Sequence, residues 1–279
     1  LYVVAGEVAA AAGGASYEEL MRREVFQPLG LSRCRVGAWN RDMVGNVAQP
    51  HTRSDGQYVM SGGDDAHVPE LVSAAAGGIR FSLDDMLAWA RNWLAPDPAQ
   101  LAWLSAAQRQ AMWTPRTPMP ISARRRAWDG TRFYAYGYGW RLSDMDGQWK
   151  VAHTGTLLGM YSSLALLPDR RSGAVILING EAEDARTTLM QALLKRQTQP
   201  GAGRDVAYYA GLLDAAAAQR RADGHAAPPL PAQMPATAAD MGKDAGVWVD
   251  PWFGKLTLCP DKDGVRIASE KSPAMHGRV

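Results

Sequence analysis

The chain has 279 residues, enough for one large domain and a smaller one. Hydrophobic residues make up 47% and charged residues 21%, the balance of a globular protein with ample core rather than a disordered or fibrous one. The net charge of +2, with basic and acidic residues interspersed, leaves no electrostatic footprint for nucleic acid, and no apolar stretch approaches the ~18 residues of a membrane span.

The opening Leu1–Val8 run is apolar and helix-like, and it carries no Ser, Thr, Asp or Asn to cap it. A helix is expected to stop at Gly13-Gly14. Ser16 and Glu19 then have capping-box spacing, opening a helix to about Gln27 that Pro28 ends. Residues 32–75 read as irregular, and His51 and His67 as solvent-facing loop residues. Ser82 and Asp85 start a helix through Met86, Trp89 and Trp93, stopped by Pro96. Its two tryptophans, four apart, are expected in the core. Ser105 with Gln108 starts a short helix, and the Pro- and Arg-rich segment 115–132 reads as a long loop.

Four β-prone runs follow: Tyr136–Leu142, Trp149–Gly155, Leu157–Leu167 and Ala174–Asn179. The turn signal Asp146-Gly147 and the Pro168–Gly173 segment between them predict a four-stranded antiparallel meander. Glu183–Gln197 reads as an amphipathic helix with Leu189, Ala192, Leu193 and Arg196 at helical spacing. A Gly/Pro/Gln linker, an Ala-rich helix over Asp205–Ala222 and a proline-dense tether over Ala226–Ala239 come next. From Ala245 the composition turns β-rich. Cys34 and Cys259 have no metal-like spacing and read as unpaired thiols that pack as small hydrophobes.

The third strand motif, His153-Thr154-Gly155, resembles the Lys-Thr-Gly or His-Thr-Gly of the serine β-lactamase and penicillin-binding-protein superfamily, in its class C and esterase-like branch. Pro28–Leu31, Ala76–Ile79 leading to Ser82–Met86, and Tyr136–Trp140 agree with that family in order and spacing. The resemblance implies an α+β fold, an antiparallel sheet covered by helices but incomplete, over residues 1–197. A helical and Pro-rich linker over 198–240 and a partial small β-rich domain over 241–279 would follow, the latter resembling a domain often appended to these hydrolases. Both chain ends look cut through an element, so the chain reads as a fragment.

Family members transfer acyl groups through a serine of Ser-x-x-Lys, helped by the tyrosine of Tyr-x-Asn. Neither motif occurs in this sequence: no lysine has a serine three residues before it, and no tyrosine has an asparagine two residues after it. By resemblance, Thr154 hydrogen-bonds the substrate, Gly155 allows its close approach, and the backbone N–H of Thr156 is one of two oxyanion donors. His153 replaces a permanently charged lysine with a mostly neutral side chain, which implies esters, amides or peptides rather than carboxylate-bearing β-lactams. The expected partner is a small-molecule or peptide substrate, with no cofactor and no metal, since the five histidines are scattered without ligand spacing. Relatives are mostly periplasmic or secreted. The competing expectation is a non-catalytic module that binds peptide or glycan.

Overall fold

The computed structural model describes residues 1–61, 67–157, 159–223, 244–252, 254–262, 264–272 and 276–278. They form two compact units, Leu1–Ala218 and Gln219–Val279. The proline-dense segment 226–239 lies outside the described residues.

In the first unit, α1 (Tyr2–Gly13) ends on Gly14 in the left-handed region, and α2 (Tyr17–Leu20) continues as a π-helical turn over Met21–Phe26. Ser16 caps α2 by accepting the Glu19 N–H at 3.1 Å. The reciprocal half of the expected capping box is absent, because Arg22 draws the Glu19 carboxylate away at 2.6 and 2.9 Å. Short strands β1 (Trp39–Asn40), β2 (His51–Ser54), β3 (Gln57–Met60) and β4 (His67–Val68) pair as β1 with β4 and β2 with β3. Four helices follow: α3 (Ala74–Gly77), α4 (Leu83–Leu94), α5 (Pro98–Trp103) and α6 (Ala106–Met112). Ser82 caps α4 and Ser105 caps α6 with a full capping box.

Segment 115–132, expected as loop, holds β5 (Thr117–Pro118) and α7 (Ala123–Asp129). Ser122 accepts the Arg125 N–H, Ala and Arg are good helix formers, and Gly130 closes the helix at φ 66°. The prolines that suggested a loop lie outside the helix. The central sheet has six strands rather than four: β5, β6 (Tyr134–Tyr136), β7 (Arg141–Met145), β8 (Gln148–Leu157), β9 (Met160–Leu167) and β10 (Ser172–Ile178). Each strand lies beside its neighbour in sequence, all antiparallel. The run Tyr136–Leu142, expected as one strand, is broken by the turn Gly137–Trp140, where the Gly137 N–H donates to the Trp140 carbonyl at 2.8 Å. Residues 146 and 147 turn β7 into β8 with φ of 52° and 75°. These are the left-handed values that an Asp-Gly hairpin needs.

The sheet is covered on both faces, and its strands alternate accordingly. Leu142, Val151, Leu164 and Leu166 pack with Met86, Ala90 and Trp93 of α4 and with Trp140. Met145, Ala165, Leu167 and Ile176 pack with Met190 and Leu194 of α8 (Glu183–Thr198) on the opposite face. Trp93 stacks on Trp113 and meets Trp140 edge-on, with ring centroids 5.3 Å apart in both pairs. A third cluster, Phe26, Leu31, Cys34 and Val36, lies under the first helices. Burial and the neighbouring Asp85 push the Cys34 thiol well up.

The expected inner face of α8 is wrong in one respect. Leu189 and Leu193 are exposed, whereas Arg186, Gln191 and Lys195 are buried. Each of these polar groups has a partner, Arg186 on β8, Gln191 on α7 and Lys195 in the β7–β8 turn, which makes its burial tolerable. Lys195 Nζ meets both oxygens of Asp146 at 2.7 and 2.8 Å, and Thr198 and Gln199 donate to the same carboxylate. The β7–β8 turn is thereby fastened to the end of α8. Among the described residues no strand pairs with the outer side of β10.

The helix α9 (Val206–Ala222) runs across the boundary between the units. The second unit contributes a four-stranded antiparallel sheet of β11 (Gly246–Asp250), β12 (Gly254–Asp261), β13 (Gly264–Ser269) and β14 (Gly277–Arg278), with Val265 and Ser269 buried. Cys259 on β12 is exposed, not packed as expected, and Pro260 beside it is exposed as well. Residues 263 and 273–275, which carry part of the expected pattern of this unit, lie outside the described residues. Among the described residues no helix is long and apolar enough to cross a membrane.

Candidate active site

β8 outlasts one of its neighbours. β7 pairs with it only over residues 148–152, whereas β9 pairs with it from Val151 to Leu157. Among the described residues, His153 to Leu157 therefore has a strand on one side and none on the other. The β8–β9 hairpin closes at the Leu157–Met160 pair, so the alternation of an antiparallel ladder turns the N–H and C=O groups of Leu157, Gly155 and His153 toward β9. Those of Thr154 and Thr156 point to the side that β7 has left. The pleat places His153 and Gly155 on the face of Val151, and Thr154 and Thr156 on the face of Lys150 and α8.

His153 is half-buried, with Nε2 2.8 Å from the Tyr136 hydroxyl. The Tyr2 hydroxyl of α1 donates to Tyr136 in turn, at 3.3 Å. Burial, with the positive charge of Arg141 behind it, holds the imidazole below the usual histidine range. Burial and the hydrogen bond from Tyr2 push the Tyr136 phenol up. The pair is thus neutral at pH 7, a hydrogen-bonded and uncharged element where the lysine version of the motif has a fixed cation.

The two threonines are each held by an arginine. Arg141 donates to Thr154 Oγ1 at 3.0 Å. Arg186 donates to the Gly155 carbonyl at 2.8 Å and to Thr156 Oγ1 at 3.0 Å, and its guanidinium lies 4.9 Å from the Tyr161 ring centre. Gly155 faces a side chain of the neighbouring strand that would have to turn aside for any larger residue. A Cβ there would stand 2.3 Å from Ser162 Oγ on β9.

His51 is half-buried rather than solvent-facing. Its Nδ1 lies 2.9 Å from the Gln49 carbonyl and 3.0 Å from that of Asn179, and its N–H donates to the Gly159 carbonyl. It ties the β2–β3 hairpin to the turn after Leu157. The four residues singled out in the sequence thus sit together on the free half of β8. Tyr2, Arg141 and Arg186, which hold them, have no sequence signal of their own, except that Arg141 directly follows Tyr136–Trp140.

An antiparallel sheet between helical layers, with a His-Thr-Gly strand half free of its neighbour, is the architecture of the serine β-lactamases and penicillin-binding proteins. The Beta-lactamase family model matches residues 1–197, and the chain belongs to that family and so to a serine hydrolase-type superfamily. Among solved structures, the octameric penicillin-binding protein homologue from Pyrococcus abyssi is similar at 17% identity and a TM-score of 0.59, covering 99% of this chain and 53% of that one. SurE is similar at 24% identity and a TM-score of 0.51, covering 96% and 55%. A class C β-lactamase from Rhodobacter sphaeroides is similar at 18% identity and a TM-score of 0.48, covering 64% and 53%. The chain spans about half the length of these structures. No curated protein matches it.

Proposed function

We propose that the free half of β8 is the substrate-binding and oxyanion wall of an acyl-transfer site, acting on an ester, amide or peptide. Thr156 supplies a backbone donor to the developing oxyanion. His153, Thr154 and Gly155 line the substrate's path. The nucleophile and its proton-handling tyrosine belong to Ser-x-x-Lys and Tyr-x-Asn motifs that this sequence lacks, so the 279-residue chain alone turns nothing over. In this reading residues 1–197 belong to the hydrolase domain, 198–240 to a linker and 241–279 to an appended β domain, and the whole protein works in the periplasm or at the cell surface.

One observation carries the reading: among the described residues the ladder leaves the Thr156 N–H without a strand partner on the side that β7 has left. Because that N–H is outside the ladder, proline can replace Thr156 without breaking a sheet hydrogen bond. In a whole protein carrying the missing motifs, Thr156→Pro is expected to lower kcat about 100- to 1,000-fold, the worth of one oxyanion donor, and Thr156→Ala to leave it nearly unchanged. Full activity in the proline variant sinks the proposal, as does ester hydrolysis by the purified 279-residue chain.

The same open margin supports a second reading, a non-catalytic module. An extended peptide could add to β8 as a strand, taking its hydrogen bonds from Thr154 and Thr156. Peptide binding that survives in a whole protein without any turnover would favour it.

A further inference from the structure

Behind β8, between the sheet, α7 and α8, lies a cavity of about 180 Å³. That is several times the ~30 Å³ share of one water. Five cationic side chains line it, Arg124, Arg125, Arg141, Lys150 and Arg186, against two carboxylates, Asp129 and Glu183. The carboxylates do not balance them. Asp129 is buried and already matched by Lys150 Nζ at 2.5 Å and by Gln191 Nε2 at 2.6 Å. Glu183 is exposed and, among the described residues, reaches only Arg186, at 3.8 Å.

Arg124, Arg125 and Arg141 make no ion pair among the described residues. Arg124 and Arg125 lie instead over the rings of Trp128 and Tyr134. These contacts fix the guanidinium planes and leave N–H groups over, since each guanidinium carries five. The cavity also runs along α8 from its first turn, where Ala182 provides no side-chain cap. That turn also carries Glu183 and Asp184, whose charges offset the helix dipole there, so the positive potential comes from the arginines.

We propose that this cavity is a binding site for a small polyanion, bearing two or more phosphate or carboxylate groups. Like charges gathered around one hollow repel one another. An anion that accepts N–H groups from Arg124 and Arg125 on one wall and from Arg141 on the other relieves that repulsion and forms charge-assisted hydrogen bonds. Arg141 also holds Thr154 Oγ1, so occupancy of the cavity is felt on the β8 margin. His153 and Thr154 also line the cavity, so the site adjoins the proposed substrate wall; its test needs no turnover and therefore fails or succeeds apart from the acyl-transfer reading.

Thermal unfolding of the 279-residue chain tests it, with pyrophosphate, citrate or inorganic phosphate added at constant ionic strength made up with sodium chloride. Phosphate and citrate also stabilise proteins by exclusion from their surfaces, so variants decide the matter. Saturable stabilisation by pyrophosphate or by citrate is expected, with its midpoint concentration raised at least ~10-fold by Arg124→Gln and by Arg141→Gln and unmoved by Arg221→Gln on α9. Arg124 is exposed, so its replacement leaves the fold intact. A response to pyrophosphate alone assigns a phosphate ligand, and a response to citrate alone a polycarboxylate. Stabilisation that rises without saturating, or equally in all three variants, or not at all, overturns the proposal.

Discussion

Asp146 does two jobs at once, and a substitution can separate them. It turns β7 into β8 at φ 52° and holds the buried Lys195, whose side chain is 2% exposed. Asn adopts the left-handed region as readily as Asp, so Asp146→Asn keeps the turn and removes the charge. Lys195 is then left as an ammonium in the core without a counterion. Losing one partner of such a pair costs about 3–5 kcal/mol, a large share of the 5–15 kcal/mol typical of a folded domain. With a urea m-value of about 2 kcal/mol/M, the unfolding midpoint drops by roughly 1.5–2.5 M. Lys195→Met should cost less, because the Asp146 carboxylate keeps its donors Thr198 and Gln199 and its side chain is 11% exposed. The double variant should recover at least half of the Asp146→Asn loss, since neither charge is then stranded. Urea titration followed by the fluorescence of the Trp93, Trp113 and Trp140 cluster reads all four proteins. An Asp146→Asn loss under about 1 kcal/mol, or a double variant no better than the worse single one, would refute the reasoning.

Gly155→Ala should cost about 1–3 kcal/mol through overpacking against Ser162, and Ser162→Ala in the same chain should restore most of it, because only Oγ stands in the way; equal urea midpoints for the single and double variants would contradict this. His153 titrates below the ordinary histidine range in the folded chain, so the unfolded chain takes up its proton first. Stability should therefore fall as pH is lowered from about 6.5 toward the folded pKa, and His153→Gln should flatten that slope in urea midpoints measured across pH 5–8. Leu142, fully buried beneath α4, should cost about 2–5 kcal/mol on replacement by Ala. In a whole protein with the catalytic motifs, His153→Lys should shift preference from a p-nitrophenyl ester toward nitrocefin, and an unchanged ratio of kcat/KM would speak against a role for the neutral imidazole.

What could be read in the sequence was local. Ser82, Ser105 and Asp146-Gly147 mark their caps and turn because a side chain three residues away, or a required φ, leaves a trace in composition. β8, β9 and β10 announce themselves as apolar runs because both faces of the sheet are covered. Where local cues compete, composition points away from the fold. The prolines around α7 outweighed Ser122 and Gly130, and Glu19 had a second suitor in Arg22. The inner face of α8 was hidden for a different reason. Arg186, Gln191 and Lys195 are buried because Gly155, Asp129 and Asp146 await them from strands and a helix 31 to 62 positions away, and hydrophobic periodicity carries no such information. The site followed the same rule. His153-Thr154-Gly155 is a contiguous motif and stands out, whereas the arginines that hold it come from separate elements and are found only once the chain is folded.

The outer flank of β10 has a practical consequence. Ser172–Ile178 contains no charged residue and no proline, the usual guards against intermolecular strand addition. Among the described residues no strand meets the amides and carbonyls of that flank, which makes it a template on which a second molecule can extend the sheet. Handled by itself, the chain is therefore expected to associate as it is concentrated, and a single lysine facing solvent at Leu177 is the change that would keep it monodisperse.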